Sequence, residues 1–485
     1  MRVLFVASEC APFVKTGGLA DVIGSLPLAL EGCGTEIRIL LPAYPSLSEL
    51  ASNATSVAHL EDFFGGQAEI KSVTADGLHL LLLVAPHLYD RAGGLYLTPA
   101  GRDWPDNYRR FAALSFAGAE ICSSGVGDWV PEVVHVHDWQ TGLLPAYLSQ
   151  RPDRSPPVVM TIHNIAYQGL VDRSHLSELR LDKRLYTPDG LEYYGEISCL
   201  KAGITFSQKI TTVSPTYADE ILTSDMGFGL EGLLRARRDD LIGILNGIDV
   251  NLWNPETDAA LGRPYSVRSH RRKRDNKFDI ETRFQLRSSI GPLFCVISRL
   301  TQQKGIDLLL TAIPRLMAAN ANLIVLGSGD QWLEQQLQVA ASEYCDQMRV
   351  VIGFDETMAH MLLGASDAIL IPSRFEPCGL TQLYGLRYGA IPIVARTGGL
   401  ADTIIDANHA SLTADCATGI QFAAGDSAAF EHAINRCCKL YQNPSLWSKM
   451  IGRAMRHSVG WDQSAADYHH IYTDLVSWKL KSTAV

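Results

Sequence analysis

Short apolar runs of strand type, most of them separated by helical patterns, recur along nearly the whole chain, and few folds accommodate that alternation. The first series falls at residues 3–7, 36–41, 78–84, 133–136, 158–162, 209–213 and 241–245. A second falls at 293–298, 322–326, 349–352, 368–372 and 391–395, with helical patterns from about 306, 331, 357, 380 and 400. Continuous apolar runs suit strands covered on both faces, and strands alternating with helices imply a mainly parallel sheet. Between the two series, from Asn246 to Arg287, glycines, prolines and charges replace the strand signal, and this stretch reads as a linker followed by a helix. The expectation is an α/β protein of two doubly wound Rossmann-like domains, residues 1–248 and 249–460. A C-terminal helix at 461–485, with Ala465, Tyr468, Ile471, Tyr472 and Leu475 on one face, is expected to complete the first, the alternative from pattern alone being a plain C-terminal helix on the second.

A length of 485 residues with 47% hydrophobic and 19% charged residues suits large folded cores rather than disorder. The net charge of −10 disfavours nucleic acid or an acidic membrane as a partner, because both demand clustered cations. One such cluster, His270-Arg271-Arg272-Lys273-Arg274, lies in a polar stretch without apolar periodicity and is expected to form a mobile surface loop able to steer an anionic substrate. The ten cysteines show no C-x-x-C pair, and most are expected to be reduced and buried, without zinc or disulfides. The N-terminal apolar run is too short for a signal segment and no run reaches membrane-spanning length, so the expected location is the cytoplasm.

In a parallel sheet, ligand groups gather on the loops after the carboxyl ends of strands. There the chain places Lys15-Thr16-Gly17-Gly18, then His137-Asp138-Trp139-Gln140, His163-Asn164 with Tyr167, and Asn246-Gly247. In the second series, Arg299 and Lys304 bracket a strand-to-helix loop and form an anion clamp for a diphosphate. The loop 373–379 carries Glu376, an acid suited to a sugar or a developing positive charge. Gly379 there permits close backbone approach, and the amides of Leu380 and Thr381 open a helix. Phe354 stands at a strand end where it either stacks a base or packs in the core. No H-E-x-x-H, D-x-D, P-loop or G-x-S-x-G pattern occurs, so neither a metal nor a cofactor is expected. The hexapeptide TGGLAD occurs twice, at 16–21 and 397–402, which suggests two similar units each presenting a glycine loop and a helix start.

Taken together, KTGGLADV at Lys15, HDWQ at His137, TIHNIAYQG at Thr161, NGID at Asn246, SRLTQQKG at Ser298, SRFEPCGLTQ at Ser373 and RTGGLADT at Arg396 resemble the glycogen and starch synthase family, specifically the bacterial type using ADP-glucose. The motifs run in order over nearly the whole chain. The resemblance implies a GT-B fold, two Rossmann-like domains facing across a deep cleft, and transfer of glucose from ADP-glucose to the non-reducing end of an α-1,4-glucan with retained configuration. It also implies that Lys15, Gly17 and Gly18 contact donor phosphate and sugar, that Arg299 and Lys304 hold the diphosphate, and that Asp138, His163 and Asn246 line the sugar pocket. Glu376 would be the essential carboxylate, Cys378, Gly379, Leu380 and Thr381 would cradle sugar and phosphate, and Phe354 would stack adenine. Tyr96 and Tyr167 would meet sugar or acceptor.

Two positions depart from patterns seen in relatives. Some retaining transferases carry a second Glu eight residues after the first, where this chain has Tyr384, which puts a paired-carboxylate mechanism in doubt. Many relatives have Tyr where Phe354 stands, so stacking survives and a hydroxyl contact does not. Two other readings compete: a glucan phosphorylase using pyridoxal phosphate, for which no lysine motif is found, and a catalytically silent nucleotide-sugar or glucan-binding regulator.

Overall fold

The computed structural model describes residues 1–151 and 155–483. By internal contacts the chain divides into two units, Met1–Asn246 with Trp461–Val485, and Gly247–Gly460.

The strands of the first unit are β1 (Arg2–Val6), β2 (Glu36–Pro42), β3 (Thr55–Leu60), β4 (Ala68–Ala75), β5 (Leu78–Val84), β6 (Val133–His137), β7 (Val158–Ile162), β8 (Leu170–Asp172), β9 (Glu192–Tyr193), β10 (Glu196–Ser198), β11 (Lys209–Thr212) and β12 (Leu241–Gly243). Its main sheet runs β12-β11-β7-β6-β1-β2-β5-β4-β3. Every pair from β12 to β5 is parallel, while β4 pairs antiparallel with both β5 and β3. Central strands are buried on both faces, as β1 shows with Val3 to Val6 fully inaccessible. The antiparallel edge follows from Asp76-Gly77, a two-residue turn with positive φ at both positions, which folds β4 back onto β5. Sequence patterning missed β3 and β4, because β3 is largely solvated and shows no clean alternation. It also missed the small antiparallel sheet β8-β10-β9, whose strands hold two or three residues each.

The second unit contains β13 (Leu293–Ile297), β14 (Asn322–Gly327), β15 (Met348–Ile352), β16 (Ala368–Ile371), β17 (Ile391–Ala395) and β18 (Ile420–Phe422), in the order β15-β14-β13-β16-β17-β18, all parallel. Helix Ile306–Ala318 typifies the covering layer, burying Ile306, Leu309, Ile313 and Leu316 along one stripe. Numbered within its own sheet, the second unit follows the 3-2-1-4-5-6 order of a dinucleotide-binding fold, and the parallel strands of the first follow the same order with a seventh strand, β12, added at the edge. The order reverses between β1 and β6 in the first unit and between β13 and β16 in the second, and at such a reversal adjacent loops diverge and leave a crevice.

That topology places the two glycine loops differently. The first TGGLAD follows β1, the first strand of its sheet, whereas the second follows β17, the fifth of its own. The two copies are therefore not equivalent positions of a duplicated domain. Their backbones differ too: Gly17 has φ −160° and Gly398 has φ +43°.

The cationic stretch 270–274 is not a mobile loop. His270–Arg272 forms a 3-10 turn leading into helix Lys273–Arg283. Lys273 is buried and its ammonium donates to the Leu363 carbonyl at 2.5 Å, so this member of the cluster satisfies a backbone acceptor in the interior, while Arg271, Arg272 and Arg274 are exposed. Lys277, one turn on, pairs with Asp367 at 2.8 Å.

Helix Asp462–Thr483 packs on the first unit, against helix Gly18–Glu31 and β6. The anticipated face of Ala465, Tyr468, Ile471, Tyr472 and Leu475 is the buried one. Ser464 caps the Leu245 carbonyl at 2.5 Å, and the Tyr472 hydroxyl meets His135 Nδ1 at 2.7 Å. Among the described residues no helix is long and apolar enough to cross a membrane.

Candidate active site

In the second unit, two loops flank the reversal of strand order, and hydrogen bonds lace them together. After β13, the loop carrying Arg299 and Lys304 turns into its helix at Gly305, whose φ is +67° and where a Cβ would sit 1.9 Å from the Pro372 carbonyl. Only glycine lets the start of that helix press against the end of β16. From the other side, Arg374 grips Asp307 with both guanidinium nitrogens at 2.6 Å, holding that carboxyl below its ordinary range, and its amide donates to the Gln303 carbonyl at 2.8 Å. The consequence is that Lys304 Nζ lies 2.5 Å from Glu376 Oε2, which also accepts from Ser373 Oγ at 2.9 Å. Glu376 is buried, whereas Arg299 is exposed on the same loop as Lys304.

The Glu376 loop rests on the second glycine pair. The Gly399 amide donates to the carbonyls of Glu376 (3.2 Å) and Pro377 (3.0 Å), and a Cβ on Gly398 would lie 2.1 Å from the Glu376 carbonyl oxygen. Gln382, fully buried in the first turn of helix Thr381–Tyr388, donates to the carbonyls of Cys378 and Gly379 at 2.9 Å each and so closes the turn. Sequence reading assigned no role to Ser373, Arg374 or Gln382. The signal was present only as polar residues in a short, otherwise apolar strand-to-helix segment. Phe354, after β15, is 76% exposed, which removes core packing as its role. Tyr384 stacks on Trp253 at a ring-centroid distance of 3.8 Å, and His360 covers the opposite face of Trp253 at 3.9 Å. The position eight residues after Glu376 is thus an aromatic core position.

In the first unit, Glu9 organises the loop after β1, another residue that sequence reading passed over. Its buried carboxylate accepts from the Thr16 amide (2.7 Å), Thr16 Oγ1 (2.8 Å), the Gly17 amide (3.2 Å) and the Tyr96 hydroxyl (2.6 Å). An acid at a helix N-terminus offsets unpaired amides and the positive end of the dipole. Tyr96 is also bonded to Ser8 at 2.8 Å. Lys15 pairs with Asp21 at 2.7 Å, while Gly17 and Gly18 are exposed.

Across the reversal point, β6 and β7 bring His137, Asp138 and His163 together. Asp138, with φ +56°, accepts the His163 amide at 2.7 Å and the Asn164 amide at 3.3 Å. A positive φ at an aspartate is an uncommon, strained placement of the kind found at functional loops. Burial pushes the Asp138 carboxyl up to about 7 against the lowering effect of those amides, and burial takes the His163 imidazole down to about 3. His137 Nδ1 and His163 Nε2 are 3.0 Å apart. Asn246 follows β12 on the same edge of the sheet and is buried. Tyr167 is half exposed beyond His163.

Family models match both units: starch synthase catalytic domain over residues 2–236, and glycosyl transferases group 1 over 279–453. Glycogen synthase of Roseobacter denitrificans is 56% identical over 98% of this chain and 100% of its own length, and that of Paracoccus denitrificans 49% identical over 97% and 98%. The catalytic domain of starch synthase IV from Arabidopsis thaliana, solved bound to ADP and acarbose, is 32% identical with a TM-score of 0.88 over 98% of this chain and 99% of its own. Sucrose-phosphate synthase from Thermosynechococcus elongatus, 16% identical with a TM-score of 0.60 over 98% of this chain and 99% of its own, shares the fold. With two Rossmann-like units, a carboxylate and two cations at one strand-order reversal, and these similarities over essentially its full length, the chain belongs to the bacterial glycogen synthase family, GT-B glycosyltransferases that carry out glucosyl transfer in glycogen synthesis.

Proposed function

We propose that the glucosyl donor is ADP-glucose and that glucose passes, with its anomeric configuration retained, to the non-reducing end of an α-1,4-glucan, releasing ADP. The observation that carries this reading is the Lys304–Glu376 pair, 2.5 Å apart at the strand-order reversal of the second unit with Arg299 exposed on the same loop. Departure of a nucleoside diphosphate leaves positive character on the sugar carbon and negative charge on the β-phosphate. A carboxylate and two fixed cations oppose those charges where they develop, without reorganising at the moment of reaction. The amides of Leu380 and Thr381 at the start of their helix add donors for phosphate, and Cys378 and Gly379 line the turn beneath. Phe354, with its ring in solvent, is assigned to stack adenine.

In the first unit, Lys15, Gly17 and Gly18 are assigned to donor phosphate and sugar, Asp138, His163 and Asn246 to sugar hydroxyls, and Tyr96 and Tyr167 to sugar or acceptor. For Tyr96 the ring edge is the part available, since its hydroxyl serves Glu9 and Ser8. The ADP bound to the starch synthase IV domain supports the choice of nucleotide, and its acarbose supports an oligosaccharide acceptor. The reading includes no metal and no prosthetic group, because Arg299, Lys304 and the helix-start amides supply the charge that a divalent ion would contribute. Ten cysteines without a disulfide among them are in keeping with a reducing cytoplasm.

The test measures glucose incorporation into glycogen from ADP-glucose and from UDP-glucose, with and without a chelator. Incorporation from ADP-glucose, unaffected by chelation, is expected. A preference for UDP-glucose overturns the donor assignment, and binding of ADP-glucose without release of ADP in the presence of glycogen revives the silent regulator.

A further inference from the structure

Two buried imidazoles of the first unit, those of His135 and His137, have no part in the reaction outlined above. His135 within β6, His137 at its end and His163 just after β7 lie in succession, with ring centroids 4.2 Å apart for the first pair and 5.3 Å for the second. His135 is fully occupied: Nδ1 meets the Tyr472 hydroxyl at 2.7 Å and Nε2 meets Thr161 Oγ1 at 2.5 Å. His137 is not. Its ring is inaccessible, its Nδ1 faces His163 Nε2 at 3.0 Å, and its Nε2 is buried with no hydrogen-bond partner among the described residues.

That orphaned nitrogen decides where the protons sit. A neutral imidazole carries one N–H and one lone pair, so one of the two His137 nitrogens must be the donor. Were it Nε2, an N–H would be stranded in the interior, and the Nδ1 lone pair would need a proton from His163. Were it Nδ1, only a lone pair would go unpaired, and the 3.0 Å contact would be a proper N–H···N bond. Stranded donors are the rarer and costlier defect, so His137 donates through Nδ1. His163 Nε2 must then accept, and the one proton of His163 must be on Nδ1. Burial holds both rings well below the ordinary histidine range, so a second proton does not blur the assignment. The remaining nitrogen of His163, Nδ1, has no partner among the described residues, and it is not one of the polar atoms buried without a partner.

We propose that His137 is a positioning residue that fixes His163 as the Nδ1–H tautomer, so that His163 meets the substrate as a hydrogen-bond donor to a sugar oxygen and never as a proton acceptor. This rests on the assignment of His163 to the sugar pocket. It excludes His163 as a general base, which geometry alone would have allowed, and makes β6 responsible for the polarity of a contact made from the loop after β7.

Two measurements test it. In wild type with 15N-labelled histidine, the His163 nitrogens, assigned by comparison with H163N, are expected at the well-separated shifts of a protonated Nδ1 and an unprotonated Nε2 between pH 6 and 8. A protonated Nε2 overturns the proposal without reference to activity. In H137F, which keeps the ring volume but removes the donor, His163 is expected to show a mixture of tautomers and kcat/KM to fall about fivefold to tenfold, the usual worth of one hydrogen bond. H137N, whose side-chain amide can donate from near the Nδ1 position, is expected to recover most of that loss. Equal loss in H137F and H137N, with the tautomer of His163 unchanged in both, overturns the positioning role. If His163 is Nδ1–H in wild type but H163A turns over normally, the sugar-pocket assignment and with it the substrate contact fall, while the tautomer stands as a structural fact.

Discussion

Lys304 Nζ and Glu376 Oε2 lie 2.5 Å apart although their residues are seventy-two positions apart in the chain, and neither side chain is more than one-fifth exposed. The pair exists because Gly305 and Arg374 clamp two loops together, so its geometry belongs to the scaffold and precedes any ligand.

Removing either member of this pair is expected to abolish most turnover while the protein stays folded. Glu376→Ala and Lys304→Ala should each lose on the order of 10²–10³ in kcat, as for other fixed groups facing developing charge. Each should also cost about 1–3 kcal/mol, because the partner left behind is a largely buried ion. Coupling is expected too: the double variant Lys304→Ala/Glu376→Ala should unfold at a denaturant midpoint higher than the two single losses predict by addition. Normal turnover in Glu376→Ala would remove Glu376 from the site.

The two copies of TGGLAD are expected to respond unequally to the same change. At Gly398, with φ +43° and the Glu376 carbonyl 2.1 Å from where an added methyl would sit, Gly398→Ala should cost more than about 2 kcal/mol and displace the Glu376 loop. At Gly17, extended at φ −160° with open space around it, Gly17→Ala should leave the thermal midpoint nearly unchanged. Thermal unfolding of the two variants side by side decides this. A folded Gly17→Ala that loses turnover would in addition support contact of that backbone with the donor.

Acid is expected to destabilise the native state below about pH 6.5. His135, His137 and His163 are held neutral by burial, so from about pH 6.5 downward the unfolded chain takes up protons that the folded one refuses, and stability falls. Asp138 acts in the opposite sense. Its carboxyl, raised to about 7, is protonated in the folded state from about pH 4 to 7 while the unfolded one is ionised, so its contribution is intact below about pH 4 and lost as pH rises through 7. Three groups outweigh one, and urea midpoints should rise from pH 5 to pH 7. His135→Gln should flatten that rise. Asp138→Asn, which keeps an acceptor for the His163 and Asn164 amides, should steepen it.

A second carboxylate cannot be installed at the position eight residues after Glu376. Tyr384→Glu would place an acid in the aromatic stack with Trp253 and His360, at a site 9% exposed, and should destabilise the protein by about 3 kcal/mol or more. Tyr384→Phe, retaining the ring, should stay within about 1 kcal/mol of wild type. Equilibrium denaturation of both variants separates the outcomes.

Most of the parallel strands were legible because they are continuous apolar runs, and the loops after them stood out because His137, Asp138, His163, Lys304 and Glu376 gather where those runs end. What escaped was set by contacts remote in sequence. Lys273 reads as part of a solvated cationic cluster until the Leu363 carbonyl is seen above it. Glu9 reads as an interruption of an apolar stretch until Thr16, Gly17 and Tyr96 converge on it. The repeated hexapeptide pointed to two similar units but not to its place in each, because local sequence specifies a strand-to-helix turn without specifying which strand precedes it. β18, three residues long between Asp406 and the helix Ser427–Tyr441, carries too little pattern to be distinguished from a loop.

The return of helix Asp462–Thr483 to the first unit has a consequence for biosynthesis. The ribosome delivers Met1–Asn246 first, yet Tyr472, the partner of His135, and the apolar stripe that covers helix Gly18–Glu31 arrive only after Gly247–Gly460 has been translated. The nascent first unit therefore waits, with an uncovered groove, while the second is free to mature, and the order of completion runs opposite to the order of emergence.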